Sequence, residues 1–167
     1  VYIKNSIRKR ITVVRNHHDT IIWLKLDKTY FNLDQDIFLA GSYIWVENSP
    51  AYDCITDDLF SLLQCDIHDF ESRGKIILCG DWNARVGNGD RTDYIVCDQC
   101  VSFIDCDSYC PDVPLKRVSL DSVHNNNGIK LLDLCKSKSL RIANGRLGSD
   151  HGIGNFTFAS TAGSSVI

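Results

Sequence analysis

The order of strand-like and helix-like segments constrains the fold of this chain more than any other feature of its sequence. Apolar residues recur at helical spacing at Leu59, Leu63, Ile67 and Phe70, and a second apolar stripe runs through residues 129–135. Runs rich in β-branched residues come before the first helix, and shorter ones follow each helix. This mixture predicts an α/β (α+β) fold with a sheet-on-sheet core and helices outside it.

We predict strands at residues 11–14, 20–26, 36–45, 75–79, 140–143 and 155–159. The apolar strand at 75–79 is expected to be buried. The first helix is expected to have Thr56 as its N-cap and to stop at Gly74. Residues 86–124 show no steady period and predict a long loop, and a second helix is expected to follow Asn126-Asn127-Gly128.

The composition narrows the class of protein. Of the 167 residues, 44% are hydrophobic and 23% are charged, which suits a folded domain and argues against disorder. Because the chain has neither a long apolar run nor a signal-peptide layout, we expect an intracellular protein, nuclear or cytoplasmic, with no membrane partner and mostly free thiols. The net charge of −3 argues against a passive nucleic-acid binder, but a nuclease whose site holds a metal ion with carboxylates can be acidic.

The residues with the clearest chemical meaning are Gly80-Asp81-Trp82-Asn83-Ala84-Arg85, directly after the 75–79 strand. On an extended backbone the side chains of Asp81 and Asn83 point the same way, and Gly80 permits a close backbone approach or an unusual turn. Phosphodiester hydrolysis needs an acceptor that orients water and a donor to a phosphate oxygen, with a metal ion stabilising the charge. The alternative is a structural Asp-Asn turn after the strand.

Residues 78–85 resemble the Gly-Asp-Phe-Asn-Ala-Arg element of endonuclease/exonuclease/phosphatase proteins, and most of all the apurinic-type endonuclease domain of non-long-terminal-repeat retrotransposons. Three further segments resemble that family in the same order. Residues 43–50 match its Tyr-Ile-Pro-Pro-type segment, residues 125–135 its Asn-x-Asn-Gly helix entry, and residues 157–167 the strand before its Ile-Asp-Tyr segment. Four matches in the correct order form a fairly specific signal.

The resemblance implies a DNase-I-like, four-layer sandwich of two packed β-sheets flanked by helices, and Mg²⁺- or Mn²⁺-dependent cleavage of phosphodiesters in DNA. It also implies roles for three residues. Asp81 would orient or activate the attacking water and is the candidate metal ligand, and Asn83 would fix Asp81 and touch the scissile phosphate. Tyr43 would contact the phosphate or stabilise charge near the leaving group, the alternative being a strand tyrosine whose hydroxyl lies at the surface.

The chain is expected to be a partial endonuclease/exonuclease/phosphatase domain over residues 1–167. It contains no methionine and begins and stops on apolar segments. The family's metal-binding Asn and Glu would precede Val1, and its later Asp and its Ser-Asp-His segment would follow Ile167. We therefore expect the fragment alone to be inactive, and a decayed, non-catalytic copy acting as an interaction protein is the alternative function. Ser149-Asp150-His151 spells the family's triplet too early in the chain, so His151 is interpreted as a loop histidine.

The rival signal is a cysteine cluster in the predicted long loop, which could form a zinc-binding module; it consists of Cys97, Cys100, Cys106 and Cys110. The gap between its two halves is short for a zinc ribbon, and free thiols are the alternative. His17-His18, in a predicted turn, could also bind a metal ion, although a solvated turn fits the pattern better.

Overall fold

The structure, a computed structural model, describes residues 2–47, 49–50, 57–88, 91–95, 116–160 and 163–165. The chain divides into two compact units, Val1–Asn83 and Ala84–Ile167. Over the described residues, the first unit contains a four-stranded sheet and the second a two-stranded sheet, with helices in both. The mixed α/β class predicted from the sequence is therefore confirmed.

In chain order the first unit contains β1 (Ile11–His17), β2 (Ile21–Leu26), α1 (Lys28–Phe31), β3 (Ile37–Tyr43), α2 (Leu59–Glu71) and β4 (Lys75–Asp81). The sheet order is β1-β2-β3-β4, antiparallel for the first three strands and parallel between β3 and β4. A parallel pair needs a crossover connection, and here the crossover contains α2. The predicted strands at 11–14, 20–26 and 36–45 correspond to β1, β2 and β3.

The core of the first unit lies between α2 and the sheet. The ring of Phe70 stacks on Phe38 at a centroid distance of 4.7 Å and meets Trp23 edge-on at 5.1 Å. Leu63 and Ile67 of the same helix are 0% and 1% exposed. The helical stripe predicted from the sequence is thus the face that packs on the sheet, where burial of large apolar side chains stabilises the fold.

The ends of α2 differ from the sequence prediction. The helix begins at Leu59 with Asp58 as its N-cap, whereas Thr56 was expected there and lies outside the described residues. It ends at Glu71, and the cap is Ser72 rather than a left-handed Gly74. Gly74 is needed for another reason, since a Cβ there would lie 2.3 Å from the carbonyl oxygen of Asp36. The glycine permits close passage of two chain segments and does not terminate the helix.

The strand predicted at 75–79 is present as β4, but the expectation that it is buried is wrong. Within the described part of the sheet β4 is an edge strand, with β3 on one side. Ile77 is 45% exposed, Cys79 is exposed, and Ile76 and Leu78 are partly covered. A continuous apolar run does not distinguish a central strand from an edge strand, because burial depends on neighbours that are distant in sequence.

The second unit is organised around α3 (Asn126–Ser137), together with the short hairpin of β5 (Phe158–Ser160) and β6 (Gly163–Ser165). Asn125 is the N-cap of α3, and its side chain accepts hydrogen bonds from the backbone N–H groups of Gly128 (2.8 Å) and Arg85 (2.9 Å). The second helix is therefore confirmed, with the Asn-Asn-Gly run forming its first turn. None of the helices in the described part of the chain is long and apolar enough to cross a membrane.

Residues 140–143 form irregular chain, so the strand predicted there is wrong. The backbone N–H of Ile142 donates to the carboxylate of Asp93 at 2.7 Å, and the N–H of Leu140 donates to the carbonyl oxygen of Cys135. A buried side chain and the end of α3 thus provide the partners that a neighbouring strand would otherwise supply. The predicted strand at 155–159 is present in part, as β5 begins at Phe158.

Candidate functional site

The candidate site lies where β3 and β4 end together. The two strands run parallel, and their register pairs Tyr43 with Asp81. The two chain segments stay hydrogen-bonded beyond the Tyr43–Asp81 pair, since the N–H of Ile44 donates to the carbonyl oxygen of Asp81 at 2.8 Å. The register therefore places Tyr43 and Asp81 side by side at the end of the sheet.

Gly80 makes this pairing possible. Its φ is +137°, and a Cβ on it would lie 1.9 Å from the carbonyl oxygen of Ser42. Every other residue type would therefore clash with the backbone of β3 and adopt an unfavourable conformation. The close backbone approach expected from the sequence is confirmed, and it brings the end of β4 against β3 directly before Asp81.

Asp81 and Asn83 are held together by a turn. Asn83 has a φ of +43°, in the left-handed region that asparagine tolerates better than most residues. Its backbone N–H donates to Oδ1 of Asp81 at 3.0 Å, and its side-chain Nδ2 donates to the carbonyl oxygen of Ile44 at 2.7 Å. The expectation that both side chains project from one extended backbone is thus wrong, because the strand ends at Asp81. The Asp-Asn turn weighed as the alternative is present.

The turn is anchored on the core of the first unit. Trp82, between the two polar residues, is 7% exposed, and its ring centroid lies 6.2 Å from that of Phe60 in α2. Ile44, the residue that accepts from Asn83, is 2% exposed. Both neighbours of the polar pair are thus packed, which limits the movement of the Asp81 carboxylate.

The site offers a carboxylate beside a phenol. Asp81 and Asn83 are half-buried, and Tyr43 is 49% exposed, so a ligand in solvent has access to the end of the strand pair. An ionised carboxylate accepts hydrogen bonds from water, and a phenol donates one to an anion. The three predicted site residues are therefore brought together, with Asn83 acting mainly on the conformation of the chain.

The donor set supplies one carboxylate for a divalent cation. Mg²⁺ is commonly bound through one or two carboxylates, with waters and substrate phosphates completing its shell. Asp81 can supply one such carboxylate ligand. Within the residues that the structure describes, no group of three or more His, Cys, Asp or Glu side chains is arranged to hold a metal ion.

A second polar cluster in the first unit was not predicted. The carboxylate of Asp66, in α2, is 1% exposed and accepts from Nε1 of Trp23 at 2.7 Å and from the guanidinium of Arg15. Nε2 of His17 lies 2.8 Å from Oδ2 of Asp66, the oxygen that also binds Trp23, so this histidine is part of a structural network rather than of a solvated turn. An acidic residue on the apolar face of a helix, as Asp66 is between Leu63 and Ile67, is the signal that could have revealed it.

Arg85, the last residue of the motif, belongs to the second unit. Its guanidinium binds both carboxylate oxygens of Asp121, at 2.7 and 2.8 Å, and Asp121 is 3% exposed. Hydrogen bonding to Asp121 raises the pKa of Arg85, so the pair stays charged. The role of Arg85 in the described chain is thus to fix the segment around Asp121, and the sequence carried no signal that these two residues, 36 positions apart, would meet.

The remaining candidate site residues either lie in turns or lie outside the described residues. His151 is exposed in a turn, as expected, and the Asp150 carboxylate beside it accepts from the backbone of Gly145 and Asn155. These hydrogen bonds lower the pKa of Asp150. His18 is a turn residue with its ring 3.2 Å from Asp57. The cysteine cluster, made of Cys97, Cys100, Cys106 and Cys110, lies outside the described residues, and its zinc role stays a prediction.

Comparisons with protein-family models, with curated proteins and with solved structures each find no match to this chain.

Proposed function

We propose that this chain is part of a metal-dependent phosphodiesterase that cleaves DNA, resembling the endonuclease domain of non-long-terminal-repeat retrotransposons. The observation that supports the proposal is the meeting of Tyr43, Asp81 and Asn83 at the paired ends of β3 and β4. The proposal includes a complete parent domain with the four-layer, DNase-I-like sandwich, of which residues 1–167 form a part.

Asp81 is the residue proposed to act on water. Its carboxylate accepts one hydrogen bond from the backbone of Asn83, which fixes its orientation at the strand end. In hydrolysis the water oxygen attacks phosphorus, the bond from phosphorus to the leaving sugar oxygen breaks, and a carboxylate accepts the proton of the water. Preorientation of the carboxylate lowers the reorganisation that this step needs.

Tyr43 and Asn83 have supporting roles in the proposal. Tyr43 is 49% exposed and is paired in register with Asp81, and its hydroxyl would donate a hydrogen bond to a phosphate oxygen. Asn83 is a positioning residue, since its backbone N–H binds Asp81 and its amide binds the carbonyl oxygen of Ile44. A direct contact of Asn83 with the scissile phosphate is a further part of the proposal.

The proposed cofactor is Mg²⁺ or Mn²⁺. When bound, such an ion stabilises the negative charge that develops on the phosphate. Of the residues described, Asp81 would contribute a carboxylate to it, and the other ligands would come from the rest of the parent domain and from substrate. The chain by itself is accordingly proposed to be inactive, and the activity to belong to the longer parent protein.

The test is plasmid nicking by the full-length parent protein in Mg²⁺. Asp81→Asn should lower the nicking rate at least about a hundredfold, because the carboxylate loses its charge and its capacity to accept a proton. Asp34→Asn is the matched control, since Asp34 is exposed in the loop before β3, at the opposite end of the strand from Tyr43. The control should nick at the parental rate. Equal rates for Asp81→Asn and the parent would reject the assignment.

Asn83 needs two substitutions, because its backbone is left-handed. Asn83→Gly keeps φ near +43° accessible and removes the amide, whereas Asn83→Ala adds backbone strain as well. A positioning role predicts that both variants lower the rate about a hundredfold and that the pH profile of nicking shifts with them. Parental rates in Asn83→Gly would show that the amide is dispensable. A parent protein that folds but never nicks in Mg²⁺ or Mn²⁺ would favour the decayed, non-catalytic copy.

A further inference from the structure

The second unit contains a cavity of about 500 Å³ that the proposed hydrolytic site does not use. Its described walls come from residues 87–88, 91–94 and 116–118 and from Arg146. The volume falls in the range of about 300–1,000 Å³ that is typical of sites for small molecules. A phosphate or sulfate ion alone would fill only a small part of it.

The lining of this cavity is strongly basic. Among its described lining residues are four cations, Arg91, Lys116, Arg117 and Arg146, and one carboxylate, that of Asp93. Asp93 is fully engaged with Arg146, accepting from both of its terminal nitrogens at 2.7 and 2.8 Å, and it also accepts from the N–H of Ile142. Burial raises the pKa of Asp93, but these hydrogen bonds outweigh it and keep the carboxyl ionised. The charges of Asp93 and Arg146 therefore cancel, and the other three cations are in excess over the carboxylates of the described lining.

Arg117 is a cation of this lining whose hydrogen-bond partners among the described residues are neutral. Its Nη2 donates to the carbonyl oxygens of Val86 (2.9 Å) and Gly87, which are neutral groups. Its Nη1 is buried, and none of the described residues accepts a hydrogen bond from it. A buried charged donor without a partner is costly, and an anion that accepts from it removes the cost. Burial lowers the pKa of Arg117, which expresses the same penalty on its charged form.

The thiol of Cys135, whose charge would act on Arg117, cannot serve as that anion. Cys135 of α3 is 4% exposed, and burial raises the pKa of its thiol to about 12, so the sulfur is neutral near pH 7. The charge of Arg117 therefore has no counterpart among the described groups whose charges act on it, apart from Asp93, which Arg146 already neutralises.

We propose that this cavity binds the phosphate group of a small phosphate monoester of about nucleotide size. The exposed Lys116 and Arg91 would bind the phosphate, and Arg117, which also lines the cavity, would add its positive charge. Arginine suits phosphate because its planar fork of N–H groups matches two oxygens at once. Tyr94, with Arg141 over one face of its ring at 5.6 Å, adds an aromatic wall for the rest of the ligand. The proposal concerns the second unit and does not depend on the hydrolytic role of Asp81.

The experiment is calorimetric titration of the purified chain, at low salt and without divalent metal, with adenosine monophosphate, adenosine and inorganic phosphate. We expect adenosine monophosphate to bind with a Kd below about 1 mM, and both adenosine and inorganic phosphate to bind at least about tenfold more weakly. Lys116→Gln and Arg117→Gln should each weaken adenosine monophosphate binding about tenfold. Lys136→Gln, which removes the same charge from α3 outside the cavity lining, should leave it unchanged.

Several outcomes would overturn the proposal. Absence of binding by adenosine monophosphate, equal binding of adenosine, or unchanged affinity in Lys116→Gln would each do so. Lys116 is exposed, so its variant remains informative if Arg117→Gln does not fold. Equal affinity for inorganic phosphate would show a site for the free ion instead. Tighter, Lys116-dependent binding of a single-stranded oligonucleotide without terminal phosphates would show a nucleic-acid contact instead. Because no metal is present, a negative result here leaves the nicking assay independent.

Discussion

Each of the two units is stabilised internally by a different kind of contact. Among the described residues of the first unit, twelve apolar side chains are buried and only three polar ones, Thr20, Ser42 and Asp66. In the second unit the described residues include six buried apolar side chains and five polar or charged ones. The first unit therefore depends mainly on apolar burial, whereas the second depends on hydrogen-bonded and ionic groups that must find their partners.

The two units differ in how the polar groups of the backbone find hydrogen-bond partners. A helix and strands with apolar faces can satisfy their backbones internally and pack by shape, as α2 and its sheet do. Irregular chain needs side chains to satisfy its backbone, as Asp93 does for Ile142 and Asn125 does for Arg85. The loss of one polar group in the second unit should therefore affect several segments at once.

The largest expected effect is in the apolar core of the first unit. Phe70→Ala should lower the free energy of unfolding by about 3–5 kcal/mol, because the ring is 2% exposed and packs on Phe38 and Trp23. Leu33→Ala, at a site 38% exposed, is the control and should change it by less than about 0.5 kcal/mol. Urea unfolding followed by tryptophan fluorescence measures both. Similar losses in the two variants would contradict the packing described for α2.

A slightly smaller effect is expected from the buried ion pair of the second unit. Arg146→Met should lower the free energy of unfolding by about 3 kcal/mol, because it leaves the Asp93 carboxylate buried without its cation. Adding Asp93→Val should recover part of the loss, since the uncompensated charge is then gone. Recovery will be incomplete because the N–H of Ile142 also loses its acceptor. An Arg146→Met variant as stable as the parent would show that the pair is dispensable.

The N-cap of α3 should contribute less to the free energy of unfolding than the buried ion pair does. Asn125→Ala removes the acceptor of two backbone N–H groups, those of Gly128 and Arg85, and should cost about 1–2 kcal/mol. Asn125→Asp retains the acceptor and should cost less than about 0.5 kcal/mol. Thermal unfolding by circular dichroism compares the two. If the alanine and aspartate variants unfold at the same temperature, the side-chain cap does not stabilise the helix.

The smallest expected effect is a pH dependence due to Asp93. Its pKa in the folded chain is lowered, so folding favours the ionised form. The stability that the ionised carboxylate contributes is fully present above about pH 4 and is lost as the pH falls through the folded-state pKa. The difference in stability between the parent and Asp93→Asn should therefore shrink as the pH is lowered from about 6 to about 3. A difference that stays constant over this range would contradict the lowered pKa.

The elements with a strong period could be predicted from the sequence. β2, β3, α2 and α3 were expected close to their observed positions, because their apolar residues repeat at the spacing of the structure that they form. The edge position of β4 and the irregular chain at 140–143 could not be predicted. Both depend on what the rest of the chain places beside them, such as the carboxylate of Asp93 almost fifty positions away from Ile142.

The candidate site was predicted in part. The motif indicated that Asp81 and Asn83 lie at a strand end and that Gly80 allows a close approach, and the structure agrees on both points. The left-handed backbone of Asn83 was missed, although asparagine directly after a strand is a common place for one. The pairing of Tyr43 with Asp81 requires the register of two strands separated by α2, which no local pattern reveals.

The buried carboxylate of Asp66 has a consequence for the uniqueness of the fold. Apolar surfaces alone would let α2 slide or rotate on the sheet at little cost, because many arrangements bury similar areas. Asp66 accepts from Arg15 and Trp23 and contacts His17, on two different strands, and only one placement of the helix satisfies all three at once. A shift by one residue would leave a charge without partners in an apolar interior. The hydrogen bonds of Asp66 therefore favour one position of α2 on the sheet over other arrangements of the same apolar surfaces.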